Sequence, residues 1–170
     1  HYNVEIEHWL LKLADCADGD MDAILRHYEV DYSHFLADLN RSLEKMRTGS
    51  GRAPSLSLEI IDMVKQAWLF ASLEQGSSKI RSGHLLWALV ADTTLARRAR
   101  DASGQLLKIQ PDLLKRDYAA ITASSAEVES TSVGRAAPID LKQLFARLTD
   151  TCFRTLEGAA GLALSRTHYN

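Results

Sequence analysis

Apolar residues recur along most of this chain at intervals of three and four, the spacing of one buried helical face, whereas alternating runs of strand type are short and few. Ser57 reads as an N-cap for a helix over 58–75, with Ile61, Val64, Trp68 and Ala71 on its buried face and Gly76 as its stop. A second long helix is expected from Asp140 to about residue 164. Gln143 completes a capping box, and Ile139 packs on Leu144 as a hydrophobic staple. Its stripe is Leu141, Phe145, Leu148, Cys152, Leu156, Ala159 and Ala163, and Leu56 and Ile61 flank Ser57 as Ile139 and Leu144 flank Asp140. Residues 7–13 and 83–89 read as short buried helices, and 21–27, 32–47, 95–103 and 111–122 complete a set of about eight. Residues 48–54 form a small, flexible connector, and 123–138, rich in Ser, Ala, Glu and Thr, form a flexible linker without apolar period.

The helical pattern repeats. Setting His8 on His84 aligns Val4 with Ile80, Leu10 with Leu86 and Leu13 with Leu89, and further on Val30 and Phe35 fall near Ile109 and Leu114. The second copy has a long helix before Ile80; the first has none before Val4. The missing helix stands at the other end, where His168-Tyr169-Asn170 repeats His1-Tyr2-Asn3. Overlaying those triplets aligns Ala159, Leu162 and Leu164 with Trp68, Ala71 and Leu73. The expected order is therefore 139–170 followed by 4–122, a circularly permuted single domain whose 123–138 joiner spans about 22 Å as a coil. Repeat one comprises 139–170 and 4–47, repeat two 55–122, giving an all-α, pseudo-twofold, duplicated four-helix architecture.

Composition narrows the function. In 170 residues, 20 Lys+Arg against 22 Asp+Glu leave a net charge of −2, unlike the basic balance of a nucleic-acid-binding domain. Two cysteines cannot build a disulfide scaffold or a zinc cage, which favours a reducing compartment. No apolar run reaches the ~18 residues needed to span a bilayer, and the first residues carry no signal-peptide pattern. A phosphate-cradling Walker A loop requires Gly-Lys-Ser/Thr, and none of the nine glycines precedes a lysine.

A long helix with small residues, an Ile or Val, and then x-x-x-His-Leu-Leu-x-x-Leu, given twice, resembles the N-terminal domain of Clp-type AAA+ unfoldases. The segment 155–166, read on into Val4-Glu5-Ile6-Glu7-His8-Trp9-Leu10-Leu11-Lys12-Leu13, resembles the ClpV branch of type VI secretion, as does Ala137-Pro138-Ile139-Asp140-Leu141-Lys142. Trp9 and Lys12 sit where other Clp N-domains more often carry Leu and Ala. The permuted order departs from the family pattern. The resemblance implies a non-enzymatic recognition domain in the bacterial cytoplasm. It would bind a helix of the contracted sheath subunit (VipB type) and serve ATPase rings of a parent hexamer, with no cofactor, nucleic acid or membrane as partner. The alternatives are an adaptor-binding N-domain of a protease-linked Clp unfoldase and, from another class, a small helical enzyme or helix-turn-helix protein.

Helix-in-groove binding needs an exposed apolar trough. The resemblance associates such a groove with the first helix of the domain, here the one opening at Asp140. Gly158, Ala159, Ala160 and Gly161 would admit a close backbone, and Leu144, Phe153, Leu162 and Leu164 lie off the main stripe. Leu144, Leu148, Leu156, Ala160, Leu56 and Leu58 are the expected lining, weighed against a role for each in the core. Other chemistry reads as structural. His8 and His84 would each hydrogen-bond a backbone carbonyl rather than share a metal; His27 and His34 lack a third ligand. Cys16 and Cys152 read as small core residues. Asp15, Asp18, Asp20 and Asp22 read as a solvated loop, and Arg97, Arg98 and Arg100 as a solvated face.

Overall fold

The computed structural model describes residues 3–45, 55–128 and 141–167. Among them the regular elements are helices apart from two two-residue strands. The elements are β1 (Asn3–Val4), α1 (Ile6–Ala14), α2 (Asp20–His27), α3 (Tyr32–Lys45), β2 (Ser55–Leu56), α4 (Leu58–Leu69), α5 (Ser82–Ala91), α6 (Thr93–Ala102), α7 (Pro111–Ile121), α8 (Leu141–Ala146) and α9 (Asp150–Thr167). A π turn, Phe70–Glu74, prolongs α4, and a 3-10 turn, Gly104–Lys108, precedes α7.

Two parallel bridges tie the repeats together. Val4 pairs with Leu56 through β1 and β2, and Ile80 pairs with Leu148. Each bridge is followed by a hydroxyl cap. Ser57 accepts from the Ile60 N–H at the start of α4, and Thr149 accepts from the Cys152 N–H at the start of α9. Val4 is to Ile80 as Leu148 is to Leu56, so α9-α1-α2-α3 and α4-α5-α6-α7 are the two repeats and α8 precedes the first. The tail helix packs against α1, and α8 against α4.

This geometry corrects the expected helix from Asp140. The chain leaves helical conformation at 147–149 because the Arg147 carbonyl accepts from Ile80 N–H at 2.7 Å and Thr149 N–H donates to the Ile80 carbonyl at 2.9 Å. The counterpart of Ser57 is Thr149, not Asp140. Asp140 and Ile139, the cap and staple positions, lie outside the described residues, as do His1, Tyr2 and the last triplet. The repeat register moves by one as well: Ala159 answers Ala67 and Ala163 answers Ala71, all four fully buried.

The histidines share a role that the sequence did not suggest. His8 Nδ1 accepts the Glu5 N–H and His84 Nδ1 accepts the Arg81 N–H, both at 2.9 Å, so each ring caps its own helix, and His84 Nε2 does not donate to the expected carbonyl among the described residues. Trp9, which is fully buried, donates from its indole nitrogen to Thr155 Oγ1 at 2.9 Å. The Lys12 stem lies across Gly158, whose added Cβ would sit 3.4 Å from Lys12 Cδ. The two residues that depart from the common Clp pattern thus both face α9.

The expectation of a flexible linker over 123–138 is corrected for its first six residues. Residues 123–128 are laid back on the core, and Glu127 is buried. Its carboxylate accepts from the Asp20 N–H (2.8 Å), the Ser82 N–H (2.9 Å), the Ser82 hydroxyl (2.5 Å) and Thr149 Oγ1 (3.0 Å). Two helix N-termini and the cap of a third converge on this charge, which is where an anion is favoured. Residues 129–138 lie outside the described residues.

Candidate functional site

The segment expected to carry a binding groove divides its apolar residues between interior and surface. Leu144, Leu148 and Leu156 are buried, each contributing to the core; Leu56 and Ala160 are half-buried against it. Leu58, the first residue of α4, is 75% exposed. The small residues serve the interior more than a visitor: Ala159 and Ala163 pack inward and Gly158 lies under Lys12, leaving Gly161 open. Two apolar side chains outside the expected lining stand at the surface here, Leu141 on α8 (46% exposed) and Phe153 on α9 (47%). Phe153, Leu156 and Ala160 follow one another at intervals of three and four on α9, which makes a strip running from exposed ring to half-buried methyl. Phe153 lay off the main stripe in the sequence, and that displacement was the available signal.

A buried polar cluster lies beneath the α2–α5–α7 junction. Asp20 is fully buried and accepts from Arg81 and from the Tyr118 hydroxyl, both at 2.5 Å, so the acidic loop is not wholly solvated. Asp20 heads the first turn of α2, where the helix dipole and Arg81 both favour its charge. His84 stacks on Tyr118, 4.9 Å between centroids, and burial lowers its pKa to about 3, with Arg81 adding to the depression against the opposing pull of Asp20. The ring is therefore neutral. Burial, reinforced by Asp20, pushes the Tyr118 hydroxyl well above its ordinary range and keeps it a donor.

Burial and the Glu127 charge likewise push the Cys152 thiol well up, so it is a core group and no nucleophile. Arg98 is drawn into an ion pair with the buried Glu7 at 2.7 Å, whereas Arg97 and Arg100 are exposed. Among the described residues no three His, Cys, Asp or Glu side chains converge as a metal site, and no helix is long and apolar enough to cross a membrane.

Comparison with known proteins places this bundle. Residues 1–102 match the model of the Clp repeat N-terminal domain. The chain is 33% identical over 76% of its length to the chaperone protein ClpB of Yersinia enterocolitica, and 25% identical over 73% to the AAA+ ATPase ClpV1 of Pseudomonas aeruginosa. It spans 14% of the length of each of these relatives. Among solved structures, the N-terminal domain of ClpV1 from the enteroaggregative E. coli Sci1 system superposes with a TM-score of 0.65 at 34% identity, covering 77% of this chain and 80% of that one. A structure reported with the coevolution of the ATPase ClpV, the TssB-TssC sheath and the accessory HsiE protein gives 0.71 at 25%, covering 74% and 78%. A complex of a ClpV N-domain with a VipB peptide gives 0.60 at 24%, covering 75% and 78%, a likeness of fold. The match to more than half the chain, carried by a bundle whose two halves repeat element for element, assigns it to the Clp repeat N-terminal domain family.

Proposed function

We propose that this chain is the recognition domain of a ClpV-type unfoldase and binds an amphipathic helix from the sheath subunit of type VI secretion. The observation that carries the reading is Phe153, half-exposed on α9 one turn before the buried Leu156. Phe153, Ala160, Leu56 and Leu58 form the contact surface, over a floor of Leu144, Leu148 and Leu156. The domain selects substrate, without turnover of its own, for ATPase rings elsewhere in the bacterial cytoplasmic hexamer. The order before permutation is 139–170 followed by 4–122, so the tail of this chain completes the first repeat.

A single helix of several hundred Å² binds in the micromolar range after ordering costs, and a hexamer multiplies such contacts by effective concentration. Calorimetric titration with the VipB-type N-terminal helix tests this, with a Clp protease adaptor as control. Phe153→Asp is expected to weaken the helix at least tenfold while circular dichroism is unchanged. Unaltered affinity in the folded variant, or preference for the adaptor, overturns the assignment.

A further inference from the structure

A second surface lies in repeat two and shares no residue with the groove. Between the end of α5, α6, the 3-10 turn and the start of α7 is a cleft of about 400 Å³, lined by Val90, Ala96, Leu106 and Pro111 and edged by Arg100 and the 62% exposed Leu107. Repeat one shows which side chain meets the corresponding carbonyl, a tyrosine that stays 42% exposed. There Tyr32, the first residue of α3, reaches back to the end of α1 and donates its hydroxyl to the Ala14 carbonyl at 2.7 Å. The N–H that a continuing helix would give to Ala14, that of Asp18, turns instead to the Asp22 carboxylate.

Among the described residues, repeat two reproduces the acceptor without the donor. Val90 is the counterpart of Ala14, and the Thr94 and Leu95 N–H groups, which an unbroken helix would give to Val90 and Ala91, both go to Asp92 Oδ1 at 3.0 Å. The counterpart of Tyr32 is Pro111, the first residue of α7, which has neither ring nor hydroxyl to send back. The charge at the edge is positive: Arg100 borders the cleft, and Arg97 lies exposed one turn earlier on α6.

We propose that this cleft receives a tyrosine side chain from an acidic peptide segment of a partner protein, its hydroxyl donating to the Val90 carbonyl and its acidic neighbours facing Arg100. An aromatic ring buries roughly 150–250 Å² and carries a polar tip, which suits an apolar slot ending in a carbonyl. Such a contact is weak alone and adds to binding elsewhere on the same domain.

The probe is the acetylated, amidated peptide Asp-Glu-Tyr-Glu-Asp, titrated into the 15N-labelled chain. Amide shifts are expected at Val90, Ala96 and Leu107. The phenylalanine analogue should bind about fivefold more weakly, one hydrogen bond's worth, and the alanine analogue not at all. Pro111→Tyr supplies the side chain that repeat one already has and should abolish peptide binding. Arg100→Glu, an exposed change, should weaken the acidic peptide about tenfold while leaving neutral N-acetyltyrosinamide unaffected, and it decides the matter if Pro111→Tyr misfolds. Shifts confined to another surface, equal binding of the alanine analogue, or undiminished binding to a folded Pro111→Tyr chain would each overturn the proposal.

Discussion

The Glu127 carboxylate answers donors from α2, α5 and Thr149 at once, so its removal orphans two buried backbone N–H groups at helix N-termini. Glu127→Ala is therefore expected to cost about 3 kcal/mol, measured by urea denaturation, since each unsatisfied buried donor costs roughly 1–3 kcal/mol. Gly83 is constrained differently: a Cβ there would lie 2.8 Å from Tyr118 Cε2 and 2.9 Å from Asp20 Cβ, so both packed groups would have to move. Gly83→Ala should lower stability by about 1–3 kcal/mol, the cost of overpacking, despite the better helix propensity of alanine. His84 gives the site a pH signature. Its folded pKa, near 3, lies below its ordinary value of 6.5, so between these the unfolded chain binds the extra proton. Stability is complete above pH 6.5 and falls as pH drops toward 3, by up to about 1.4 kcal/mol per unit from this ring. NMR of the ring should show a neutral His84 at pH 5; a titration midpoint near 6 would show that the ring is open to water.

At the scale of elements, the break between α8 and α9 decides which leucines are available. Leu148 sits on the bridge to Ile80 and is buried there, and Leu156 is 9% exposed one turn beyond Phe153. Leu156→Asp should therefore unfold or strongly destabilise the chain, by about 3 kcal/mol or more for an unpaired buried carboxylate, which thermal denaturation will show. A variant as stable as the parent would move Leu156 from the floor of the groove to its surface. The sequence exposed the two repeats because helical spacing and the His-Leu-Leu pattern are local, and each His closes a cap only three residues long. It concealed the break because Leu144, Leu148 and Cys152 stay in phase across it, so a periodicity cannot register the non-helical step at 147–149. Only Thr149, a cap type like Ser57 one residue after a leucine, marked the restart. Phe153 was visible but off phase, and the burial of Glu127 was invisible because its partners are backbone groups remote in sequence.

The whole molecule is a closed pair of repeats in which the latest helix in the chain supplies the opening element of the first. Cys152, Ala159 and Ala163 of α9 are fully buried, Thr155 receives the Trp9 indole, and Thr149 is held by both Ile80 and Glu127. Losing α9 would uncover Trp9 and empty the α1 face, and burial of each large side chain is worth about 1.5–3 kcal/mol. The tail helix should accordingly belong to the same cooperative unit as the core helices of repeat two, although 129–140 separates it from them in sequence. Native-state hydrogen exchange reads this directly. The amides of Cys152 to Ala159 are expected to open with the same free energy as those of Leu85 to Leu89, at the global value, and to shift together under Glu127→Ala. If the α9 amides open several kcal/mol below the core while α4 and α5 stay protected, then α9 is a docked appendage, and the first repeat closes without it.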